Sequence, residues 1–374
     1  MLKREKKVKE PVVYYPSELE KNEFIGILYG KRIKDTNQYN IISLGKSEQH
    51  HNFTESIGEV VNIKPKKIPK DKIVGVRING ELQFFDEKGE KCIREPYTLK
   101  LDVFSRNTGI LENDHMLKSG AIITGVGSVG SLIALELARS GVGKFLLVDN
   151  DIMAYHNICR HQCGIYDIGK YKVAAVKERI LQINPDAEII TFEGWLQSIP
   201  KKIFDDFCDE NTIILGCADN REGDLYANSI AKVYDIPLMS IGFWERAFAG
   251  EIFYCYPKGM PDYEDFCNSL EDTSGRVTQN RKFYTTEEDL EKTFFEPGIS
   301  VDINYVTTIA IKLIIDILNR NNKNYHPKLI NHLTQFTLIC NTTDPELINE
   351  MGWIFSYPLQ VTTSIEVEYA TKIK

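Results

Sequence analysis

A chain of 374 residues with 43% hydrophobic residues is long enough for two domains with separate cores. Its formal net charge of −8 argues against a nucleic-acid partner, which would require a basic surface patch. The longest apolar stretch, 306–318, contains Lys312 and Asp316 and is too short to cross a membrane. We therefore expect a cytoplasmic protein with neither a nucleic-acid nor a membrane partner.

The first hundred residues are predicted to form a region of their own. Residues 1–10 are basic and lead into no apolar signal-peptide core, which predicts a frayed terminus. Within 11–103, the segments 24–30, 39–44 and 72–80 are predicted strands of a small α/β domain. Their spacing resembles a JAB/MPN domain, the fold of metal-dependent ubiquitin-type isopeptidases. An active member would carry a His-x-His zinc pair where this chain has Arg-Ile-Asn-Gly at 77–80, and the pair His50-His51 lacks a fitting pattern. The resemblance therefore implies an inactive domain used for binding or dimerisation.

A glycine-rich loop follows the predicted strand 121–126 and opens the predicted helix 128–140. Its glycines Gly125, Gly127 and Gly130 permit a tight turn and a close backbone approach to phosphate or ribose at a helix N-terminus. Asp149 lies nineteen residues beyond Gly130, at the end of the predicted strand 144–149, where it can accept hydrogen bonds from ribose hydroxyls. Taken alone, this pattern fits NAD, FAD or S-adenosylmethionine, and also a loop that binds nothing.

Charged residues that follow two of the predicted strands narrow the choice of ligand. Arg160 and Lys172 follow the acidic strand end and could place two positive charges beside a polyphosphate, which a redox dinucleotide site does not need. Asn157 and Gln162 add neutral donors and acceptors. Asp219 follows the apolar strand 212–217 and is our candidate for holding Mg²⁺ on the phosphates. The alternative is that these are solvated surface charges, but their joint occurrence after two strand ends favours a site.

Together these motifs identify a family. The stretch from about 104 to 252 resembles the adenylation domain of the E1, MoeB and ThiF superfamily, which activates ubiquitin-like proteins and sulfur carriers. The resemblance implies that the C-terminal carboxylate of a ubiquitin-like, β-grasp protein attacks the α-phosphate of Mg-ATP, giving an acyl-adenylate and pyrophosphate. By the same resemblance the nucleotide is held by the three glycines and by Asp149, Asp151, Asn157, Arg160, Gln162, Lys172 and Asn220, and Mg²⁺ by Asp219.

The segment Phe104-Ser105-Arg106-Asn107 resembles an aromatic-x-Arg element of the family. There the arginine reaches the ATP of the partner subunit, so a catalytic Arg106 would imply a homodimer. A solvated arginine at a domain junction is an equal alternative.

The alternation of predicted elements defines the fold class of residues 104–374. Such alternation predicts an α/β fold with a doubly wound, mostly parallel Rossmann-like sheet. The strand 249–256, the helix 302–318 and the tail strands 335–340 and 359–369 are predicted later additions, the tail strands antiparallel. The remaining elements of the alternation are helix 170–182, strand 187–193, helix 199–208, helix 222–234 and strand 237–242.

The eight cysteines contain no Cys-x-x-Cys pair, so we expect reduced thiols and no structural zinc. E1 enzymes that transfer their cargo hold it as a thioester, usually on a cysteine of a crossover segment. Here that segment is 256–298 and its cysteine is Cys267. The neighbouring Glu264 and Asp265 disfavour a thiolate, so a conformational change towards the adenylate and its cations would be needed. The alternative is a spare thiol in a mobile loop.

Three classes of function remain. The first is an E1-like enzyme that passes its cargo to an E2-like protein in a bacterial conjugation pathway, resembling the E1 components of antiphage operons of the Bil type. The second is a sulfur-carrier adenylyltransferase of the MoeB or ThiF type, against which stand the missing cysteine pairs and the extra N-terminal domain. The third is a non-catalytic Rossmann-like regulatory subunit, against which stand Arg160, Lys172 and Asp219.

Overall fold

The computed structural model describes residues 10–21, 23–45, 54–218, 220–244, 247–269, 297–341, 362–367 and 369. The chain divides into two compact units, residues 1–106 and 107–374, close to the predicted boundary between 103 and 104. None of the helices in the described ranges combines the length and apolar character that crossing a membrane requires.

The N-terminal unit contains a seven-stranded mixed sheet in the order β6-β5-β4-β2-β3-β1-β7. Three of these strands were predicted and four were missed; one missed strand, 93–97, is a partly exposed edge strand containing Pro96 and has no clear apolar alternation. The short helix α1 is Glu18–Lys21. The strands are β1 (Val12–Pro16), β2 (Gly26–Ile33), β3 (Gln38–Gly45), β4 (Glu55–Val61), β5 (Ile73–Ile78), β6 (Glu81–Phe85) and β7 (Ile93–Tyr97).

The segment 77–80 forms a hairpin. Asn79 and Gly80 both have positive φ, 53° and 84°, as a two-residue turn between antiparallel β5 and β6 requires. The guanidinium of Arg77 donates a 2.7 Å hydrogen bond to the carbonyl of Leu19 in α1. Arg77 therefore links the end of β5 to α1.

The C-terminal unit contains an eight-stranded sheet in the order β10-β9-β8-β11-β12-β13-β14-β15. The five strands β8 to β12 are parallel to one another, and β13, β14 and β15 are antiparallel additions. The predicted fold class is confirmed. The strands are β8 (Gly120–Thr124), β9 (Lys144–Asp149), β10 (Glu188–Glu193), β11 (Thr212–Gly216), β12 (Leu238–Phe243), β13 (Ala249–Cys255), β14 (Phe336–Cys340) and β15 (Thr362–Ile365).

Helices cover both faces of this sheet. Three of them, α3, α4 and α8, share one apolar core on one face, and α5, α6 and α7 share a second core on the other. The helices are α2 (Asn113–Met116), α3 (Ser128–Arg139), α4 (Lys172–Ile183), α5 (Lys201–Phe207), α6 (Arg221–Tyr234), α7 (Tyr263–Ser269) and α8 (Ser300–Leu318).

The prediction that the crossover segment 256–298 is loop-like is wrong for residues 263–269, which form helix α7. Its aromatic residues Tyr263 and Phe266 are buried, and the ring of Phe266 stacks on Phe253 of β13 at 4.9 Å. Burial of two aromatic side chains one helical turn apart favours the helix although the segment is polar overall.

The strand order reverses between β8 and β11. From β8 the chain proceeds outward to β9 and β10, and it returns on the other side of β8 to form β11 and β12. Loops that leave neighbouring strands in opposite directions open a crevice at the carboxyl ends of those strands. Side chains that follow β8, β9 and β11 are therefore expected to converge there.

Candidate active site

A cavity of about 900 Å³ occupies this crevice in the C-terminal unit. Its wall is built from the segments that follow β8, β9, β10 and β11, and from the end of β12. A volume of this size is at the upper end for small-molecule and cofactor sites.

The three predicted glycines of the loop do different things. Gly125 has a φ of +86°, and a Cβ there would lie 2.9 Å from the backbone nitrogen of Ala218. A Cβ on Gly130 would lie 2.0 Å from the carbonyl oxygen of Gly125. Gly127 has no atom within 4 Å of a built Cβ and lies on the cavity wall. Thus Gly125 and Gly130 shape the loop, and Gly127 keeps the entrance to α3 open.

Helix α3 presents its N-terminus to the cavity. Its N-cap residue, Gly127, provides no side-chain cap, and the first helical residues, Ser128 and Val129, line the wall. Uncapped N–H groups and the positive end of the helix dipole favour an anion such as a phosphate.

Asp149 lies on the wall and holds two backbone segments. Its Oδ2 accepts a hydrogen bond from the N–H of Val126 at 2.8 Å, and its Oδ1 accepts one from the N–H of Asp151 at 2.9 Å. Each carboxylate oxygen can accept a further bond. Asp149 can therefore fix the glycine loop and still receive a ribose hydroxyl.

Arg160 and Lys172 both reach the cavity wall. The buried Lys172 forms a 2.7 Å ion pair with Asp151, whose side chain is 60% exposed. Arg160 lies beside Gly298, where a built Cβ would be 3.5 Å from the guanidinium. The fold brings together two cations that lie twelve residues apart in sequence.

The three predicted amide residues differ in their placement. Asn157 lines the cavity, and its Oδ1 accepts the N–H of Ala154 at 2.9 Å. Asn220 also lines it and caps α6 by accepting the N–H of Gly223 at 2.6 Å. Gln162 is outside the wall, and its backbone N–H contacts Ser131 Oγ at 3.3 Å.

His161 is a wall residue that the sequence analysis did not select. Its Nδ1 accepts the N–H of Cys163 at 3.0 Å, so its Nε2 carries the proton and donates to the carbonyl of Val126 at 2.8 Å. Burial lowers the pKa of His161 below its ordinary value of 6.5. A neutral imidazole thus supports the glycine loop at Val126, the residue whose N–H Asp149 accepts.

Two aromatic residues of the wall were also missed. Trp195 follows β10 and is 60% exposed, whereas Trp244 follows β12 and is buried. Both come after the carboxyl ends of predicted strands, the same rule that selected Asp149. Applying this rule to every strand would have found them.

The remaining predicted site residues lie elsewhere. Asp219 is outside the described residues, and Arg106 is an exposed residue of the N-terminal unit. Cys267 lies on α7 and is not part of the cavity wall. Within the ranges that the structure describes, no three His, Cys, Asp or Glu side chains cluster as a metal site would require. The wall does carry the carboxylates of Asp149, Asp151 and Glu222, the oxygen donors that Mg²⁺ prefers.

Comparisons with known proteins agree with this geometry. The ThiF family matches residues 76–347, more than half of the chain, so the chain belongs to the ThiF family. The prediction of the E1, MoeB and ThiF superfamily is thereby confirmed.

Individual relatives match shorter segments. A probable molybdopterin-synthase adenylyltransferase of Porphyra purpurea is 33% identical over 165 residues, which are 43% of this chain and 41% of that protein. A ubiquitin-like modifier-activating enzyme 5 of Bombyx mori is 28% identical over 163 residues, 41% of each chain. The chain thus spans about two fifths of the length of these curated relatives.

Among solved structures, E. coli MccB with ATP is similar, with a TM-score of 0.49 and 16% identity over 70% of this chain and 67% of that one.

Proposed function

We propose that this chain is an E1-like adenylyltransferase that uses Mg-ATP to activate the C-terminal carboxylate of a ubiquitin-like, β-grasp protein. The observation that carries the proposal is the convergence of Arg160, Lys172 and the uncapped N-terminus of α3 on one cavity, whose wall also carries the ribose-type acceptor Asp149. Membership of the ThiF family supports it, as does the relative named a ubiquitin-like modifier-activating enzyme.

The chemistry explains the cations. A carboxylate oxygen of the substrate attacks the α-phosphorus of ATP, the bond to the bridging oxygen breaks, and pyrophosphate leaves with the electron pair. Negative charge accumulates at the α-phosphate while a second anion approaches it, so cations fixed beforehand lower the barrier. Lys172 is held by Asp151 before any ligand arrives, which meets this requirement.

Mg²⁺ would neutralise charge on the leaving pyrophosphate. We assign it to Asp219, with Asp149, Asp151 and Glu222 as the described carboxylates of the same wall.

Transfer to an E2-like protein would follow through Cys267. The thiolate of Cys267 attacks the carbonyl carbon of the acyl-adenylate, the bond to the phosphate oxygen breaks, and AMP leaves with the electron pair. The proton of the thiol goes to solvent before attack. Because Cys267 lies outside the cavity wall, this step requires α7 to move. We place the transfer in a bacterial conjugation pathway such as antiphage defence.

The position of Cys267 also favours a second candidate, adenylation of a sulfur carrier without an enzyme thioester. The similarity to a probable molybdopterin-synthase adenylyltransferase supports that candidate. A non-catalytic regulatory subunit would have no use for a buried, ion-paired Lys172 facing the cavity.

The test is ATP–pyrophosphate exchange with each small β-grasp protein encoded beside the gene. We expect exchange that Asp219→Ala abolishes and Cys267→Ala preserves, together with a reducible protein adduct that Cys267→Ala removes. Exchange without that adduct would select the sulfur-carrier candidate. Absence of exchange with every carrier would reject adenylation.

We further propose a homodimer in which Arg106 completes the site of its partner. Large apolar side chains beside the cavity residues support an interface, since Ile152, Tyr155, Ile165 and Tyr166 are all more than half exposed. Mixing inactive Arg106→Ala with inactive Lys172→Ala should restore exchange, because mixed dimers contain one intact composite site. No recovery in mixtures shown by sedimentation to contain mixed dimers would rule out action across the interface.

A further inference from the structure

The guanidinium of Arg221 contacts Cys267 with one nitrogen and a residue next to the cavity wall with the other. Arg221 is the first residue of α6, and its neighbours Asn220, Glu222 and Gly223 line the cavity. Its Nη1 lies 3.9 Å from the Sγ of Cys267, and its Nη2 lies 3.9 Å from Oε1 of Glu251. The guanidinium is thus shared between a carboxylate and a thiol.

Glu251 connects this guanidinium to the cavity. It is a buried residue of β13, and its Oε2 accepts the indole N–H of Trp244 at 3.0 Å. Trp244 lies on the cavity wall. A buried carboxylate needs a cation or hydrogen-bond donors, and Glu251 has both kinds of partner here.

Helix α6 also holds the helix that carries the thiol. The side chains at 221, 224, 228 and 232 recur at helical spacing along one face of α6. Asn228 Oδ1 accepts the N–H of Tyr263 at 3.2 Å, Asp224 Oδ2 accepts its hydroxyl at 3.3 Å, and Lys232 pairs with Asp262 at 2.7 Å. Asp224 fits only because Gly216 has no side chain, since a Cβ there would lie 2.1 Å from Asp224 Oδ1. Arg221 and Cys267 therefore meet in a fixed contact between two packed helices.

We propose that Arg221 is the positioning residue for Cys267, holding its sulfur as a thiolate at the first turn of α6, outside the cavity wall. The inference rests on the proposed thioester function and identifies the cation that offsets the acidic surroundings of this thiol. The acidic residues around this thiol are Glu264 and Asp265 on its own helix, Asp262 before it, Asp224 on α6 and Glu251 on β13, and Lys232 pairs with Asp262. A guanidinium beside a sulfur favours the thiolate, which is the nucleophilic form.

Glu251 sets the strength of the effect. The carboxylate offsets part of the positive charge that Arg221 presents to the sulfur. Neutralising Glu251 should therefore make Cys267 more reactive, whereas neutralising Arg221 should make it less reactive. Two substitutions that each remove one charge thus have opposite expected signs.

The experiment measures the alkylation rate of Cys267 in the full chain with iodoacetamide from pH 5 to 10, by mass spectrometry of its peptide. In Arg221→Gln we expect the midpoint of the pH–rate profile to rise and the rate at pH 7 to fall about threefold, because a tenfold loss of thiolate is partly offset by its higher intrinsic nucleophilicity. Arg221→Lys should recover most of the loss, and Glu251→Gln should increase the rate. Cys159, an exposed thiol whose Sγ contacts the carbonyl of His156, is the internal control and should not change.

An unchanged Cys267 profile in Arg221→Gln overturns the inference, as does a parallel change at Cys159. Circular dichroism and thermal unfolding establish that each variant is folded. Alkylation needs neither ATP nor carrier, so a failure of pyrophosphate exchange with a shifted Cys267 profile rejects the proposed function alone. Normal exchange with an unshifted profile rejects the role of Arg221 alone.

Discussion

The cavity wall and helix α7 place reactive side chains in contrasting ways. On the wall, Asp149, His161 and Lys172 are each fixed by a partner within the same unit and are already directed at a common space. On α7, Cys267 is equally fixed, but by α6 and outside that space. In the proposed function, adenylation would therefore be organised by the resting fold, whereas thioester formation would require the fold to change.

The sharpest test of this contrast is the loss of a wall cation. Lys172→Ala should reduce pyrophosphate exchange about 100- to 1,000-fold, the usual cost of removing one preorganised group that stabilises transition-state charge. Unfolding in urea should change little, because the partner Asp151 remains solvated. Lys177→Ala on the same helix is the matched control, since Lys177 contacts the carbonyl of Ile189. Equal loss of exchange in both variants would contradict the assignment.

The sequence predicts the residues of the cavity wall only as well as it predicts where the strands end. The predicted strand 144–149 is observed with the same bounds, and β8 and β11 begin or end within two residues of prediction, because buried parallel strands are continuous apolar runs. Residues that follow those runs, such as Asp149, Arg160 and Lys172, all lie on the wall of one cavity. Gln162 was expected in the site and is outside its wall, since a residue's direction within a turn is not encoded in motif spacing.

The contacts around Cys267 could not be predicted in the same way. Arg221, Glu251 and Trp244 come from α6, β13 and the end of β12, and they meet only after the sheet has formed. No local periodicity links them. The acidic neighbours of Cys267 were visible in the sequence, but the compensating guanidinium was not.

Substitution should distinguish the glycines that shape the loop from the glycine that lines the cavity. Gly130→Ala should lower the free energy of unfolding by about 3 kcal/mol, because the new methyl group would meet a carbonyl oxygen of the backbone at 2.0 Å. Gly127→Ala, with open space around its Cβ, should cost less than about 0.5 kcal/mol yet impair exchange. Urea unfolding and exchange assays measure both. Similar unfolding free energies for the two variants would refute the distinction.

The third prediction concerns pH and the wall histidine. Burial lowers the pKa of His161, so below pH 6.5 the unfolded chain takes up a proton that the folded chain resists. The stabilisation is present above pH 6.5 and is lost as pH falls towards the lowered pKa. The difference in unfolding free energy between the wild type and His161→Gln, measured from pH 5 to 8, should show this slope. A difference that is independent of pH would mean that His161 titrates normally.

The smallest expected effect belongs to the anchoring of α7. Tyr263→Phe removes the hydroxyl that Asp224 accepts and should cost about 0.5–1 kcal/mol, while exchange remains unchanged because α7 is outside the wall. Tyr369→Phe is the control, since that side chain is 62% exposed and should have no effect on stability. A loss of exchange in Tyr263→Phe would show that α7 contributes to the cavity after all.

The missing side chain at Gly216 constrains how this protein can vary through descent. Because the carboxylate of Asp224 fills the space that a Cβ at 216 would need, the two positions can change in only one order. Replacing the glycine first brings a methyl group against a buried oxygen, whereas shortening Asp224 first leaves room for a later alanine at 216. The hydrogen bond between Asp224 of α6 and Tyr263 of α7 is therefore lost before the glycine is free to change. Lineages that retain this hydrogen bond should also retain Gly216.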